Sequence, residues 1–236
     1  MMERIPEPEE LMDDPRQVEA YTGPHLDKGY WIFIQRFRKF FPRLAEKGAI
    51  LDLGCGPAVI PLRLAGLLPK WEIHGVDGSP AMLSAGVEAV RKEGLEKRIR
   101  LIHGILPDDL VLPRSRYEAV VSNSFLHHLA EPMDLWQAIR RYGLPGAAVL
   151  VMDLVRPADE EAAELVIDTY VPGAPLKLRQ DMLLSLRAAY TPAEISVQLE
   201  RAGLSRSLQV ATASPLQFAV YGHVETGTRE SGSFDK

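Results

Sequence analysis

The sequence predicts an α/β fold in which a parallel sheet is wound on both faces by helices. Three observations predict it. From Ala49 to Asp153, short apolar runs alternate with amphipathic stretches. A turn with two glycines, Gly54 and Gly56, joins the first run to the first amphipathic stretch. The second run ends on an acid, Asp77, as strands that face a ligand often do.

The elements follow in order. Residues 1–20 hold seven acids and two bases, with Pro6, Pro8 and Pro15 among them, and read as an acidic, flexible leader. Residues 26–47 carry Tyr30, Phe33, Ile34, Phe37, Phe41 and Leu44 at three- and four-residue steps, which predicts a helix that Pro42 breaks after Phe41. That helix is either a packing element or a lid over a cleft. Strands are expected at Ala49–Leu53, Glu72–Val76, Ile99–His103, Ala119–Ser122 and Ala147–Asp153, with helices at Ala58–Leu68, Pro80–Glu93 and Met133–Tyr142 between them. This alternation requires right-handed crossovers and places ligands at the carboxyl ends of the strands.

After Arg156-Pro157 the texture changes. Ala158–Tyr170 and Leu176–Ala189 read as helices of an inserted cap, spanning 158–190, too short to hold a core of its own. Thr191-Pro192-Ala193-Glu194 is a capping box with proline in the first helical position, and that helix stops at Ala202-Gly203. Ser207–Thr212 and Leu216–Tyr221 read as two last strands, and 223–236 as a disordered tail. One domain over 21–222 accounts for the chain.

Composition narrows the class. The 236 residues are 46% hydrophobic and 25% charged, ordinary for a folded protein. The net charge of −5 belongs entirely to the first twenty residues, so the remainder is balanced. A balanced body argues against nucleic acid as a partner, since phosphate contacts need clustered Lys and Arg. The bases at Arg91–Arg100 are interrupted by Glu93 and Glu96. No stretch has the length and apolarity of a membrane span, and nothing resembles a targeting signal. The single cysteine, Cys55, excludes an internal disulfide, and a cytoplasmic location is expected.

The chemistry is concentrated in two segments. In Ile50-Leu51-Asp52-Leu53-Gly54-Cys55-Gly56-Pro57-Ala58, the glycines free the turn of side chains and the next helix turns its N–H groups toward a ligand. In Ile73-His74-Gly75-Val76-Asp77-Gly78-Ser79, a carboxylate ends the second strand, placed to accept two ribose hydroxyls; helix capping is its alternative use. The third glycine of a dinucleotide fingerprint is missing, because Val59 occupies that position.

With these residues in view, the sequence resembles the class I S-adenosylmethionine-dependent methyltransferases, and within them the small-molecule group that includes the ubiquinone/menaquinone C-methyltransferases. Leu51–Gly56 matches their first motif, Val76–Ser79 the acidic motif, Tyr117–Leu129 the fourth-strand motif and Leu144–Ala147 the turn into strand five. The resemblance covers about residues 20 to 222. It implies a Rossmann-like, seven-stranded, mostly parallel sheet with an antiparallel last strand, an N-terminal helical lid and a helical insertion after strand five. It also implies S-adenosylmethionine as cofactor, held by Asp52, Gly54, Cys55, Gly56, Asp77, Gly78, Ser79, Met82, Ser122 and Asn123. One departure is that Ile105, not an acid, follows Gly104, so the adenine contact is expected from Asp108 or Asp109 further along the loop, or from a backbone carbonyl.

Transfer from a sulfonium asks mainly for alignment and exclusion of water, and needs a base only if the acceptor must lose a proton. His127, just past strand four, is the expected catalytic residue, which orients or deprotonates a small-molecule acceptor. Tyr21, Tyr30, His128, Asp153 and Arg156 are the expected substrate contacts, with Trp31, Tyr170, Arg179, Arg187 and Tyr190 as weaker ones. The remaining histidines are scattered, so no metal is expected. A protein or RNA methyltransferase, and a binding protein without transfer activity, are the competing readings. A homodimer is left open.

Overall fold

In the computed structural model the described residues are 2–7, 12–108 and 110–225. Seven strands form one sheet: β1 (Gly48–Leu53), β2 (Trp71–Asp77), β3 (Ile99–His103), β4 (Tyr117–Asn123), β5 (Gly143–Leu154), β6 (Leu208–Ser214) and β7 (Gln217–His223). Their spatial order is β3-β2-β1-β4-β5-β7-β6. β1 to β5 pair in parallel, and β7 runs antiparallel between β5 and β6. The chain leaves β1 toward β2 on one side and returns to β4 on the other. That reversal opens a crevice at the carboxyl ends of β1 and β4.

Strand alternation divides the core. Ala49, Leu51 and Leu53 of β1, with Val149 and Val151 of β5, face helices α5 (Met133–Tyr142) and α8 (Pro192–Arg201), where Leu135, Trp136, Ile139 and Ile195 are fully buried. Ile50, Ala148, Leu150 and Met152 face the opposite side. There α2 (Asp27–Phe40) and α3 (Val59–Leu67) supply Phe33, Phe37 and Leu64, all at most 1% exposed. The remaining helix of the parallel unit, α4 (Pro80–Lys92), starts on Ser79, whose hydroxyl accepts from Met82 N at 3.1 Å.

The cap is α6 (Glu160–Tyr170) and α7 (Leu176–Ala188), whose Ile167, Leu178 and Leu186 form a small apolar cluster together with Leu154 of β5. The capping box of α8 forms as the sequence implies, with Thr191 and Glu194 bonding reciprocally.

Three segments depart from the sequence reading. Pro15–Thr22, inside the leader, is a helix, α1, because Asp14 and Gln17 make a capping box around Pro15. Residues 2–7 and 12–14 pack against the body. Arg4 Nε donates to Ala188 O at 2.7 Å, its guanidinium lies 4.2 Å over the Tyr190 ring, and Ile5 N bonds Arg187 O at 3.0 Å. His223, read as the start of the tail, ends β7, and Val224 N bonds Ala147 O at 2.9 Å. The rest of the tail, from residue 226, lies outside the described residues.

Candidate active site

A deep cleft opens at the carboxyl ends of β1, β2 and β4, roofed by α1, α2 and the cap helix α7. Its floor is the glycine turn. Gly54 and Gly56 adopt φ of 73° and 51°, conformations that disfavour any side chain. Gly54 N and Cys55 N bond Val76 O at 2.9 and 3.0 Å, which ties the turn to β2. A Cβ on Gly54 would overlap the Phe125 ring, whereas one on Gly56 would meet nothing within 4 Å. Gly54 therefore serves packing, and Gly56 leaves room on the cleft side. Cys55 is buried, its thiol pushed well above the usual range by that burial, and its Sγ lies beside Gly75. It fills the turn, and its raised pKa leaves little thiolate.

Asp77 lies across the turn. Its Oδ2 accepts from Gly56 N at 2.7 Å and its Oδ1 from Ser79 N at 2.8 Å. Each oxygen keeps acceptor capacity for a further donor. Burial raises its pKa, and the backbone N–H groups offset part of that effect. Asp52 is 1% exposed and lines the cleft, and neither of its oxygens has a partner among the described residues. Burial, with the nearby charge of Asp77, holds it well above the ordinary carboxylate range. Asn123 Oδ1 is likewise buried without a partner. Gly78, Ser79 and Met82 complete this end of the cleft.

The other end is built on the short helical turn Leu126–His128. His127 is 2% exposed. Its Nδ1 lies 2.5 Å from Asp153 Oδ1 at the end of β5, and its backbone N lies 3.3 Å from Asp153 Oδ2. Leu154 N holds the same carboxylate at 2.6 Å. Burial alone would lower the pKa of His127, but Asp153 outweighs it and holds the imidazole above its ordinary value. The Asp153 carboxylate, which burial alone would raise, is held below its usual range by His127. His127 Nε2, on the cleft side, has no partner among the described residues.

His128 stacks on His127 at 4.1 Å, and its Nδ1 lies 2.5 Å from Glu7 Oε2. Ser185 Oγ of the cap donates to Glu7 Oε1 at 2.7 Å. Burial would raise Glu7, but the His128 hydrogen bond and both imidazoles bring it below its ordinary value, so it stays ionised. Tyr21 and Tyr30 line the same cleft, Tyr30 Oη donating to Tyr21 O at 3.1 Å. Burial raises both phenols. Tyr170 lines it from the cap.

Several expected contacts fall elsewhere. Asp153 is behind His127 rather than in the cleft, because its oxygens are spent on His127 and Leu154. Arg156 is 7% exposed and turned away from the cleft, held by Glu194 Oε1 in the first turn of α8 at 2.7 Å and by Ala189 O at the end of the cap at 3.0 Å. Ser122 Oγ donates to Leu53 O at 2.8 Å, which clamps β4 to β1 beneath the cleft. Asp108 is exposed on the loop after β3 and does not reach the cleft; Asp109 lies outside the described residues. Trp31 is 53% exposed under Arg63, while Arg179 and Arg187 are paired with acids of α6.

Sequence reasoning missed Glu7, Met12, Asp13 and Ser185. Ser79 Oγ lies 2.8 Å from Asp13 Oδ1 and 3.0 Å from Met12 O, and Asp13 also accepts from Ala81 N at 3.0 Å. Asp13 thus sits at the N-terminus of α4, where a carboxylate is favoured. The Asp14-Pro15-Arg16-Gln17 capping box was the local signal that this leader is ordered.

Comparison with known proteins agrees with this geometry. Residues 50–146 match the family model described as "Methyltransferase domain". The chain is 32% identical, over 46% of its length and 30% of the relative, to ribosomal RNA small subunit methyltransferase C of Alcanivorax borkumensis. It is 29% identical, over 69% of its length and 49% of the relative, to trans-aconitate 2-methyltransferase of Mycobacterium tuberculosis. The chain thus spans about half or less of the length of these curated relatives. A SAM dependent methyltransferase from Aquifex aeolicus superposes with a TM-score of 0.66 at 20% identity, covering 90% of this chain and all of that one. At that identity the likeness is one of fold.

Proposed function

We propose that this protein transfers the methyl group of S-adenosylmethionine to a small organic acceptor. The observation that carries the reading is Asp77, presented to the cleft by Gly56 N and Ser79 N, opposite a turn whose Gly56 leaves space for a ligand. The residues fit the cofactor. Asp77 retains lone pairs for two ribose hydroxyls. The unpartnered Asp52 carboxylate offers a counter-ion to the α-ammonium of the amino-acid end, and a buried carboxylate without one is costly. Met82 supplies an apolar face for the adenine.

When bound, the cofactor supplies a methyl group on an activated sulfonium leaving group. The chain's own task is then positioning. The roof of α1, α2 and α7 excludes water, and Tyr21, Tyr30 and Tyr170 line the acceptor space. His127, its ring fixed by Asp153, turns Nε2 toward that space and orients the acceptor or takes its proton. A roofed cleft on a charge-balanced body favours a small acceptor over RNA. No helix of the described residues is long and apolar enough to cross a membrane, and a cytoplasmic location belongs to the same proposal.

The test is turnover and binding measured separately. His127→Ala is expected to lower methyl transfer to a panel of small acceptors while leaving cofactor affinity unchanged. Cofactor binding with no transfer to any acceptor would favour the non-catalytic alternative.

A further inference from the structure

We propose that Glu7, His127 and His128 form a binding site for a divalent transition-metal ion at the acceptor end of the cleft. The proposal goes beyond methyl transfer; it shares His127 and the acceptor end of the cleft with it, and the task given to the ion toward the acceptor rests on that reading.

One ligand atom from each of the three residues lies within 4.8 Å of the others. Glu7 Oε1 is 4.0 Å from His127 Nε2, and Glu7 Oε2 is 2.5 Å from His128 Nδ1. Donors that share one ion at about 2.0–2.2 Å each stand roughly 3–4 Å apart, so a small rotation of Glu7 closes the set. The rings of His127 and His128 are stacked at 4.1 Å with a tilt of 37°, which keeps them on the same side of the turn.

The independent observation is His127 Nε2. It belongs to a side chain 2% exposed, lies 4.0 Å from Glu7 Oε1 and has no hydrogen-bond partner among the described residues. Asp153 occupies Nδ1 and fixes the ring with Nε2 toward Glu7, where a metal ion would take the place of a proton. A carboxylate behind the ring nitrogen remote from the ion is the usual support of a metal-bound histidine. An imidazole nitrogen and a carboxylate oxygen brought to within 4.0 Å of each other can share one cation. Two imidazoles and one carboxylate suit zinc, cobalt, iron(II) or manganese better than magnesium or calcium. The three residues occupy one side of the ion, and the cleft leaves its other positions to water or an acceptor oxygen. An acceptor hydroxyl bound there would lose its proton more readily, which gives His127 an orienting task through the ion. Glu7 also brings the leader into the site, so the ion would pin residues 2–7 to the cap.

The experiment uses the full chain, stripped with chelator and titrated with Co2+ by calorimetry and visible absorption. One Co2+ per chain is expected, with ligand-field bands of low coordination number that Zn2+ abolishes. Glu7→Gln and His128→Gln should each weaken binding by about tenfold or more. Absence of saturable binding, or unchanged affinity in both variants, overturns the proposal. S-adenosylhomocysteine is titrated into the same samples. Cobalt binding without it would leave the metal site standing and remove the methyltransferase reading, and the converse would remove the metal site alone.

Discussion

His127 Nδ1 and Asp153 Oδ1 stand 2.5 Å apart, joining the turn after β4 to the end of β5 in a buried pair. The carboxylate fixes the ring plane and leaves Nε2 as the atom that faces the cleft. Asp153 never reaches the acceptor, so it is a positioning residue. Asp153→Asn should lower kcat about 10–100-fold and leave the cofactor Kd within about threefold. Steady-state kinetics with calorimetry on the same preparation separates the two. A parallel loss of cofactor affinity would make the pair a merely structural one.

Asp52 carries a pH prediction. Its pKa is raised by burial, so the free protein holds a proton there over a range in which a solvated aspartate is ionised. Binding of a cationic ammonium beside it favours the ionised form. Binding must therefore release a proton below the raised pKa, and affinity must rise with pH through that pKa. Calorimetry in two buffers of different ionisation heat measures the release. Asp52→Asn should abolish it, and a binding heat independent of buffer would contradict the assignment.

The glycine turn makes a stability prediction. Gly54 has φ of 73° and no room for a Cβ against Phe125. Gly54→Ala should cost about 1–2 kcal/mol from the backbone and a further ~1–3 kcal/mol from overpacking. Chemical denaturation would show it. Gly56→Ala, with open space at its Cβ, should keep most of the stability and lose cofactor affinity instead.

The parts of this account that were legible in sequence are those governed by local rules. Gly54, Gly56 and Asp77 lie within one strand–turn–helix–strand unit, and their spacing carries the geometry. The helix starting at Pro192 was legible from its capping box. Side-chain pairs distant in sequence were not. Glu7 meets His128 across 121 residues, and Arg156 meets Glu194 across 38. Nothing in the spacing of Arg156 says that it turns to the start of α8 instead of the cleft. Ser122 was placed correctly on β4, but strand alternation alone did not show that its hydroxyl would close on Leu53 O. The leader was misleading for a physical reason: its prolines and acids look unstructured, yet Asp14 caps α1 and Glu7 finds two imidazoles.

The most direct measurement is calorimetric titration of S-adenosylhomocysteine into the wild-type chain and into Asp77→Ala. The account predicts one site per wild-type chain and an affinity about tenfold or more weaker in the variant, since two hydrogen bonds to a carboxylate are lost. Absence of binding to the folded wild type, or equal affinity in Asp77→Ala, would contradict it.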